Sequence, residues 1–270
     1  METIFTAKKM SFYYQTPQSQ LVLGDSFRIL TKIQPESVDM IFADPPYFLS
    51  NNGITCQNGK MVSVNKGAWD SLSEQGTSIA DKHKFNKKWI KLCKRILKPN
   101  GTIWISGTLH NIYSIGMALE QEGYKLINNI TWQKTNPPPN LACRCFTHST
   151  ETILWAKKNE KKCRHFFNYQ KMKELNQGKQ MKDVWTGALT KPSEKTEGKH
   201  PTQKPEYLLE RIVLASTQEG QCILDPFCGS GTTGVAAVRL QRVFIGIDIC
   251  EDYLEIAKRR LDKVQRMEKL

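Results

Sequence analysis

The chain of 270 residues has no apolar run near the roughly 18 residues that a membrane span requires. Its first ten residues carry lysines with no apolar stretch behind them, so no secretory signal is read there. Eight cysteines stand at positions 56, 93, 143, 145, 163, 222, 228 and 250 without a CxxC pair, and the five histidines form no HxxxH pattern. Zinc-ribbon, thioredoxin-like and zincin chemistries are therefore excluded. Cys143 and Cys145 lie one residue apart but lack a further ligand set, so no metal is expected, and reduced thiols in a cytoplasm are the natural reading. Acidic residues are scarce beside basic ones, 26 against 39, a net charge of +13. That balance points to a polyanionic partner.

What is present suits a globular protein. Hydrophobic residues at 39% can build a core and charged residues at 24% are ordinary, so the length fits one large α/β domain or one carrying an insertion. Val38 to Ala43 reads as a buried strand ending at Asp44-Pro45-Pro46. Phe85, Trp89, Leu92, Cys93 and Ile96 share one helical face, which Pro99-Asn100-Gly101 stops. Strands follow at Thr102–Ser106, Leu126–Trp132 and Thr152–Ala156, with a helix before Gly123. From Lys157 to Lys204 periodicity fades, and 13 Lys/Arg against 5 Asp/Glu concentrate +8 of the charge. Pattern resumes at Pro205, a good first helical residue. Strands at Ile223-Leu224 and Val243–Ile247, a helix after Gly231 and a terminal helix from about Glu251 complete the alternation. Strand–helix alternation around a basic interruption predicts a mostly parallel, doubly wound sheet.

Three strings carry chemistry. Asp225-Pro226-Phe227-Cys228-Gly229-Ser230-Gly231-Thr232 joins a strand end, a glycine turn and a helix start, where backbone can approach a ligand. Asp248 stands at the tip of the next strand, the place of a ribose-binding acid in nucleotide sites. The spacing is not GxGxxG, and a plain glycine turn is the alternative. Asp44-Pro45-Pro46-Tyr47 is sharper, expected by composition on the order of 0.0006 times in such a chain. Its carboxylate and a fixed proline carbonyl offer two acceptors for an amino group, and Tyr47 offers a stacking face. A capping Asp before a proline turn is the plainer reading, and it leaves Tyr47 unexplained. His200-Pro201-Thr202-Gln203-Lys204-Pro205 precedes a helix, where Thr202 and Lys204 could bind an anion or merely cap.

Together these strings resemble the amino-methylating DNA methyltransferases: Asp44 to Tyr47 their DPPY motif, Phe227 to Gly231 their FxGxG motif. The order, DPPY before a basic segment before FxGxG, is similar to the β group. Phe42 to Asn51, Trp104 to Gly123, Asn129 to Ala156, Met181 to Gly187 and Lys199 to Arg211 resemble the DpnA-type adenine methyltransferases of DpnII-like restriction systems, a likeness spanning roughly residues 20 to 262. It implies a Rossmann-like fold with a seven-stranded, mostly parallel sheet. Residues 1–156 would hold the catalytic half, 157–199 the target-recognition region and 200–270 the cofactor-binding half. It implies methyl transfer from S-adenosyl-L-methionine to N6 of adenine within GATC, on double-stranded and also single-stranded DNA. A homodimer and a cognate restriction endonuclease in the same system are further implications.

By this resemblance Asp44 and the Pro45 carbonyl take the two amino hydrogens of a flipped-out adenine, Pro46 holds the turn and Tyr47 stacks on the base. Asp25, Asp44, Thr202, Lys204, Asp225, Phe227, Cys228, Gly229, Ser230, Gly231, Thr232 and Asp248 would bind the cofactor. Family members often carry Glu where this chain has Asp248, and Asp25 reads equally as a cap on a helix starting at Ser26. Lys161, Lys162, Arg164 and Lys182 would track phosphates, and Asn136, Arg144 and Trp185 are groove or base contacts to consider. An N4-cytosine methyltransferase would share fold and cofactor, but usually has Ser in place of Asp44. A non-catalytic DNA-binding subunit would have no chemical need for either motif.

Overall fold

The computed structural model describes residues 4–6, 10–47, 54–57, 60–63, 78–160 and 163–267. In chain order its elements are β1 (Tyr14–Gln15), β2 (Ser19–Leu23), α1 (Ser26–Leu30), β3 (Val38–Ala43), β4 (Ile54–Gln57), β5 (Lys60–Ser63), α2 (Ile79–Ile96), β6 (Leu97–Gly107), α3 (Ile112–Gln121), β7 (Tyr124–Lys134) and β8 (Thr150–Lys158). They continue with α4 (Tyr169–Leu175), β9 (Val184–Gly187), α5 (Glu206–Ser216), β10 (Cys222–Asp225), α6 (Thr232–Arg239), β11 (Val243–Asp248) and α7 (Glu251–Met267).

One mixed sheet runs β1-β2-β11-β10-β3-β6-β8-β7-β9, and β4 and β5 form a separate antiparallel pair. Neighbours are parallel from β2 through β6 and again at β7/β9, and antiparallel at β1/β2, β6/β8 and β7/β8. The expected mostly parallel sheet is thus present. Its strand number is nine rather than seven, because the two-residue β1 and the four-residue β9 extend the edges of a seven-stranded centre.

The central strands are apolar because helices cover both faces. Along β3, Ile41 and Ala43 face a core built with Trp89, Ile90 and Cys93 of α2 and Ile115 and Leu119 of α3. The alternate Met40 and Phe42 face a second core with Leu208 and Ile212 of α5, Val235 of α6 and Leu254 and Leu261 of α7. That two-residue period places the chain just beyond β3 between the two helical layers.

Several details depart from expectation. Helix α2 starts at Ile79, where the Ser78 hydroxyl accepts the Asp81 N–H at 3.1 Å. Strand β6 starts at Leu97 and runs through Pro99-Asn100-Gly101, absorbing it as an irregularity between the pairings Val38↔Leu97 and Met40↔Thr102. Pro205 caps α5 from one position outside it. The basic stretch, read as irregular, contains α4 and β9, and β9 pairs with β7 at Trp132↔Trp185. No helix among the described residues is long and apolar enough to cross a membrane.

Candidate active site

The ends of β3, β10 and β11 open onto one cavity of about 320 Å³. β10 lies between β3 and β11. The crossover through α6 packs on one face of the sheet and that through α2 on the other. The strand ends therefore diverge into a crevice, the usual ligand site of open α/β sheets.

The turn after β10 forms the floor. Gly229 and Gly231 have φ of +48° and +73°. A Cβ on Gly229 would stand 3.0 Å from His200 Nε2, and one on Gly231 2.8 Å from the Ala257 Cβ. Both positions therefore demand glycine on conformational and steric grounds. Asp225, 2% exposed, accepts the Thr233 hydroxyl at 2.5 Å and the Phe227 N–H at 3.0 Å. Burial pushes its carboxyl up to about 7, although those two hydrogen bonds oppose the rise. Asp248 accepts the Gly229 N–H at 2.8 Å and the Cys250 N–H at 2.9 Å, and burial raises its carboxyl too.

Asp25, Thr202, Lys204, Phe227, Cys228, Ser230 and Thr232 line the same cavity, whereas Gly231 shapes the turn without lining it. Asp25 fulfils the capping role as well, its Oδ1 accepting the Arg28 N–H at 3.0 Å. His200 sits against Tyr253 with ring centroids 4.2 Å apart, and burial lowers its imidazole to about 4, so the ring is neutral. Phe85 continues an aromatic wall from Phe227, at a centroid distance of 6.4 Å, and Phe27 packs on Phe85 at 5.2 Å. Ile249, 63% exposed, also lines the cavity. Phe27, Phe85 and Ile249 escaped sequence reasoning. An isoleucine directly after the strand-end acid Asp248 was the signal available for one of them.

Beside this floor lies Asp44, with Pro46 lining the cavity and Pro45 and Tyr47 buried next to it. Asp44 Oδ1 accepts the hydroxyls of Tyr47, at 2.5 Å, and Ser106, while Oδ2 accepts the Lys204 ammonium at 2.5 Å. Burial alone would raise the Asp44 carboxyl, but the charge of Lys204 and these three donors hold it below the usual range. Lys204 is buried too, and its flanking carboxylates Asp44 and Glu151 more than offset that, keeping it firmly charged. Two expectations change here. The Lys204 ammonium is directed at Asp44 rather than left for an anionic cofactor group. Tyr47 is 6% exposed with its hydroxyl on Asp44, so its ring is packed inward rather than presented for stacking.

The expected DNA contacts separate. Arg144, Arg164 and Lys182 are exposed. Asn136 is exposed as well, and its Oδ1 accepts the Leu189 N–H at 2.9 Å, which fixes a loop. Lys161 and Lys162 lie outside the described residues. Trp185 is corrected: at 5% exposure it packs beside Trp104 under the Arg211 guanidinium, a core residue rather than a base contact. Among the described residues no three His, Cys, Asp or Glu side chains converge as a metal site.

Carboxylates and an aromatic wall around one cavity suit a cationic ligand that also bears a flat base and a diol. S-adenosylmethionine has all three parts, so the residues present fit it. Residues 38–259 match the DNA methylase family N6_N4_Mtase. The Type II methyltransferase M2.DpnII of Streptococcus pneumoniae is 69% identical over 250 residues, 93% of this chain and 92% of that protein. The crystal structure of the M1.HpyAVI–SAM complex is 31% identical with a TM-score of 0.67, covering 90% of this chain and 99% of that one. The PvuII cytosine-N4-specific DNA methyltransferase superposes with a TM-score of 0.72 over 96% of this chain and 95% of that one, at 17% identity, a likeness of fold. The chain belongs to the DNA methylase family: it is an enzyme that methylates DNA, with S-adenosylmethionine as its cofactor.

Proposed function

We propose that the methyl group goes to N6 of adenine, within GATC, and that Asp44 is the catalytic residue. The observation that carries this reading is an ionised Asp44 carboxylate at the end of β3, bordering the cofactor cavity. An adenine N6 lone pair is delocalised into its ring and is a weak nucleophile. Drawing both amino hydrogens toward acceptors lets the nitrogen pyramidalise and aim that lone pair. A carboxylate oxygen has two acceptor sites. Those of Oδ1 are taken by Tyr47 and Ser106, so the second site of Oδ2, beside Lys204, is the one for a substrate N–H. The Pro45 carbonyl would take the other hydrogen.

When bound, the cofactor supplies an electrophilic methyl on a cationic sulfur. Asp248 would hold the ribose diol, its carboxylate already oriented by two backbone N–H groups. Phe227, Phe27 and Phe85 would flank the adenine of the cofactor, and Asp225 would face positive charge. With both reactants so placed, orientation supplies much of the rate, and no covalent enzyme intermediate is needed.

Residues 1–156 and 200–270 act as the catalytic and cofactor-binding halves in this reading, with 157–199 as the target-recognition region. Exposed Arg164 and Lys182 support phosphate tracking there. Restriction-modification is the setting, as the name of the Streptococcus pneumoniae relative supports. A cognate endonuclease, a homodimeric assembly, activity on single strands and a cytoplasmic site belong to the same proposal.

The test uses unmethylated DNA, double- and single-stranded, with S-adenosylmethionine, followed by mass spectrometry of the nucleosides. N6-methyladenine is expected, and Asp44→Ala is expected to bind cofactor and transfer no methyl. N4-methylcytosine would overturn the base assignment. Cofactor binding without any methylation would favour a non-catalytic DNA-binding subunit.

A further inference from the structure

Asp44 is crowded for the role just assigned, with one acceptor site left beside the Lys204 ammonium. Three donors already reach it, and a substrate amino group must share its space. Lys204, the charged one of the three, forms an ion pair with a second carboxylate as well. Its ammonium stands 3.5 Å from Glu151 Oε2. Glu151 is largely buried, and its other oxygen, Oε1, is anchored by Lys134 at 2.7 Å. Oε2 itself is buried and has no hydrogen-bond partner among the described residues. A buried carboxylate oxygen left without a donor is costly unless a donor can move onto it. The four charges therefore alternate, Asp44, Lys204, Glu151, Lys134, with a short bond at each end and a stretched one in the middle.

We propose that Glu151 is a positioning residue that takes the Lys204 ammonium off Asp44 as the target base enters. A shift of about an ångström would turn the 3.5 Å contact into a hydrogen bond. Both acceptor sites of Asp44 Oδ2 are then available to the substrate. The lysine remains charged and adjacent, so Asp44 stays ionised although buried. Lys134 holds the receiving carboxylate still. Tyr47 and Ser106, 3.1 Å apart, keep Oδ1 and the plane of the carboxylate in place throughout. This inference rests on the reading of Asp44 as the amino-gripping residue.

Glu151→Gln keeps the shape and removes the charge that receives Lys204. The expected result is single-turnover methyl transfer slowed 10- to 100-fold, with cofactor Kd and DNA KM within about twofold of wild type. Because Glu151 acts through Lys204, the double variant Glu151→Gln/Lys204→Met should be no slower than Lys204→Met alone. A merely structural glutamate would instead weaken cofactor binding and multiply the lysine defect. Wild-type rates in Glu151→Gln, or multiplied effects in the double variant, overturn the proposal. Should Glu151→Gln fail to fold, Glu151→Asp decides, since its shorter arm draws the acceptor back from Lys204. Transfer at least threefold slower at unchanged DNA KM is then expected, and the wild-type rate overturns the proposal. Asp44→Ala in the same assay separates the two readings. Retained transfer there removes the basis of both, whereas lost transfer there with wild-type Glu151→Gln refutes only the role of Glu151.

Discussion

A carboxyl group kept at about 7 by burial makes Asp225 sensitive near neutrality. Its unfolded value is 3.8, so between those values the folded chain holds a proton that the unfolded chain has released. Stability from this group is therefore full below the unfolded value and is lost as pH rises through about 7. The difference amounts to about 4 kcal/mol at most. Asp225→Asn should accordingly raise the Tm by several degrees at pH 8 and leave it nearly unchanged at pH 4. An asparagine can still accept from the Phe227 N–H and meet the Thr233 hydroxyl, so the comparison isolates charge. Cofactor affinity runs the other way. A cation in the cavity favours ionised Asp225, so affinity should weaken below about pH 7 in the wild type and stay flat in Asp225→Asn, as calorimetry at several pH values can show. His200, at about 4, is neutral across that window and adds no titration of its own.

Among the elements, α7 is joined to the site by one buried residue. Arg260, 4% exposed, donates to the Ser230 carbonyl at 2.8 Å, the Thr232 hydroxyl at 2.9 Å and Glu206 at 2.9 Å. It thereby locks the glycine turn against α5 and α7. Arg260→Ala leaves a buried carbonyl and a carboxylate short of donors, and should cost about 3 kcal/mol in denaturant titrations together with a weaker cofactor Kd. No signal in the sequence marks Arg260, because an arginine in an amphipathic C-terminal helix reads as solvated. Elements were legible where burial on two faces writes a continuous apolar run, as in Met40–Ala43 and Val243–Ile247. They were illegible where it does not. β2 hides two buried polar residues, Ser19 and Gln20, in its five, and β9 buries only Trp185.

For the molecule as a whole, legibility follows how local the chemistry is. The glycine turn and the Asp44 turn are contiguous strings, and both arrive at the cavity as expected. The charge network is not contiguous: the order β3-β6-β8-β7 brings Asp44, Ser106, Glu151 and Lys134 together, and Lys204 reaches them from the segment before α5. Composition, by contrast, speaks for the entire surface. A net charge of +13 makes counterion release a large share of DNA affinity, so the log of the binding constant should fall linearly with the log of salt. Arg144, Arg164 and Lys182 are exposed and are the residues whose removal tests where the phosphates lie. The triple alanine variant should lower the slope by up to about 3, at about 0.9 per lost contact. It should do so without changing cofactor affinity, since none of the three lines the cavity. Fluorescence anisotropy with a labelled duplex between 50 and 200 mM salt reads this directly. An unchanged slope would move the phosphate track away from these three side chains and onto another part of the basic surface.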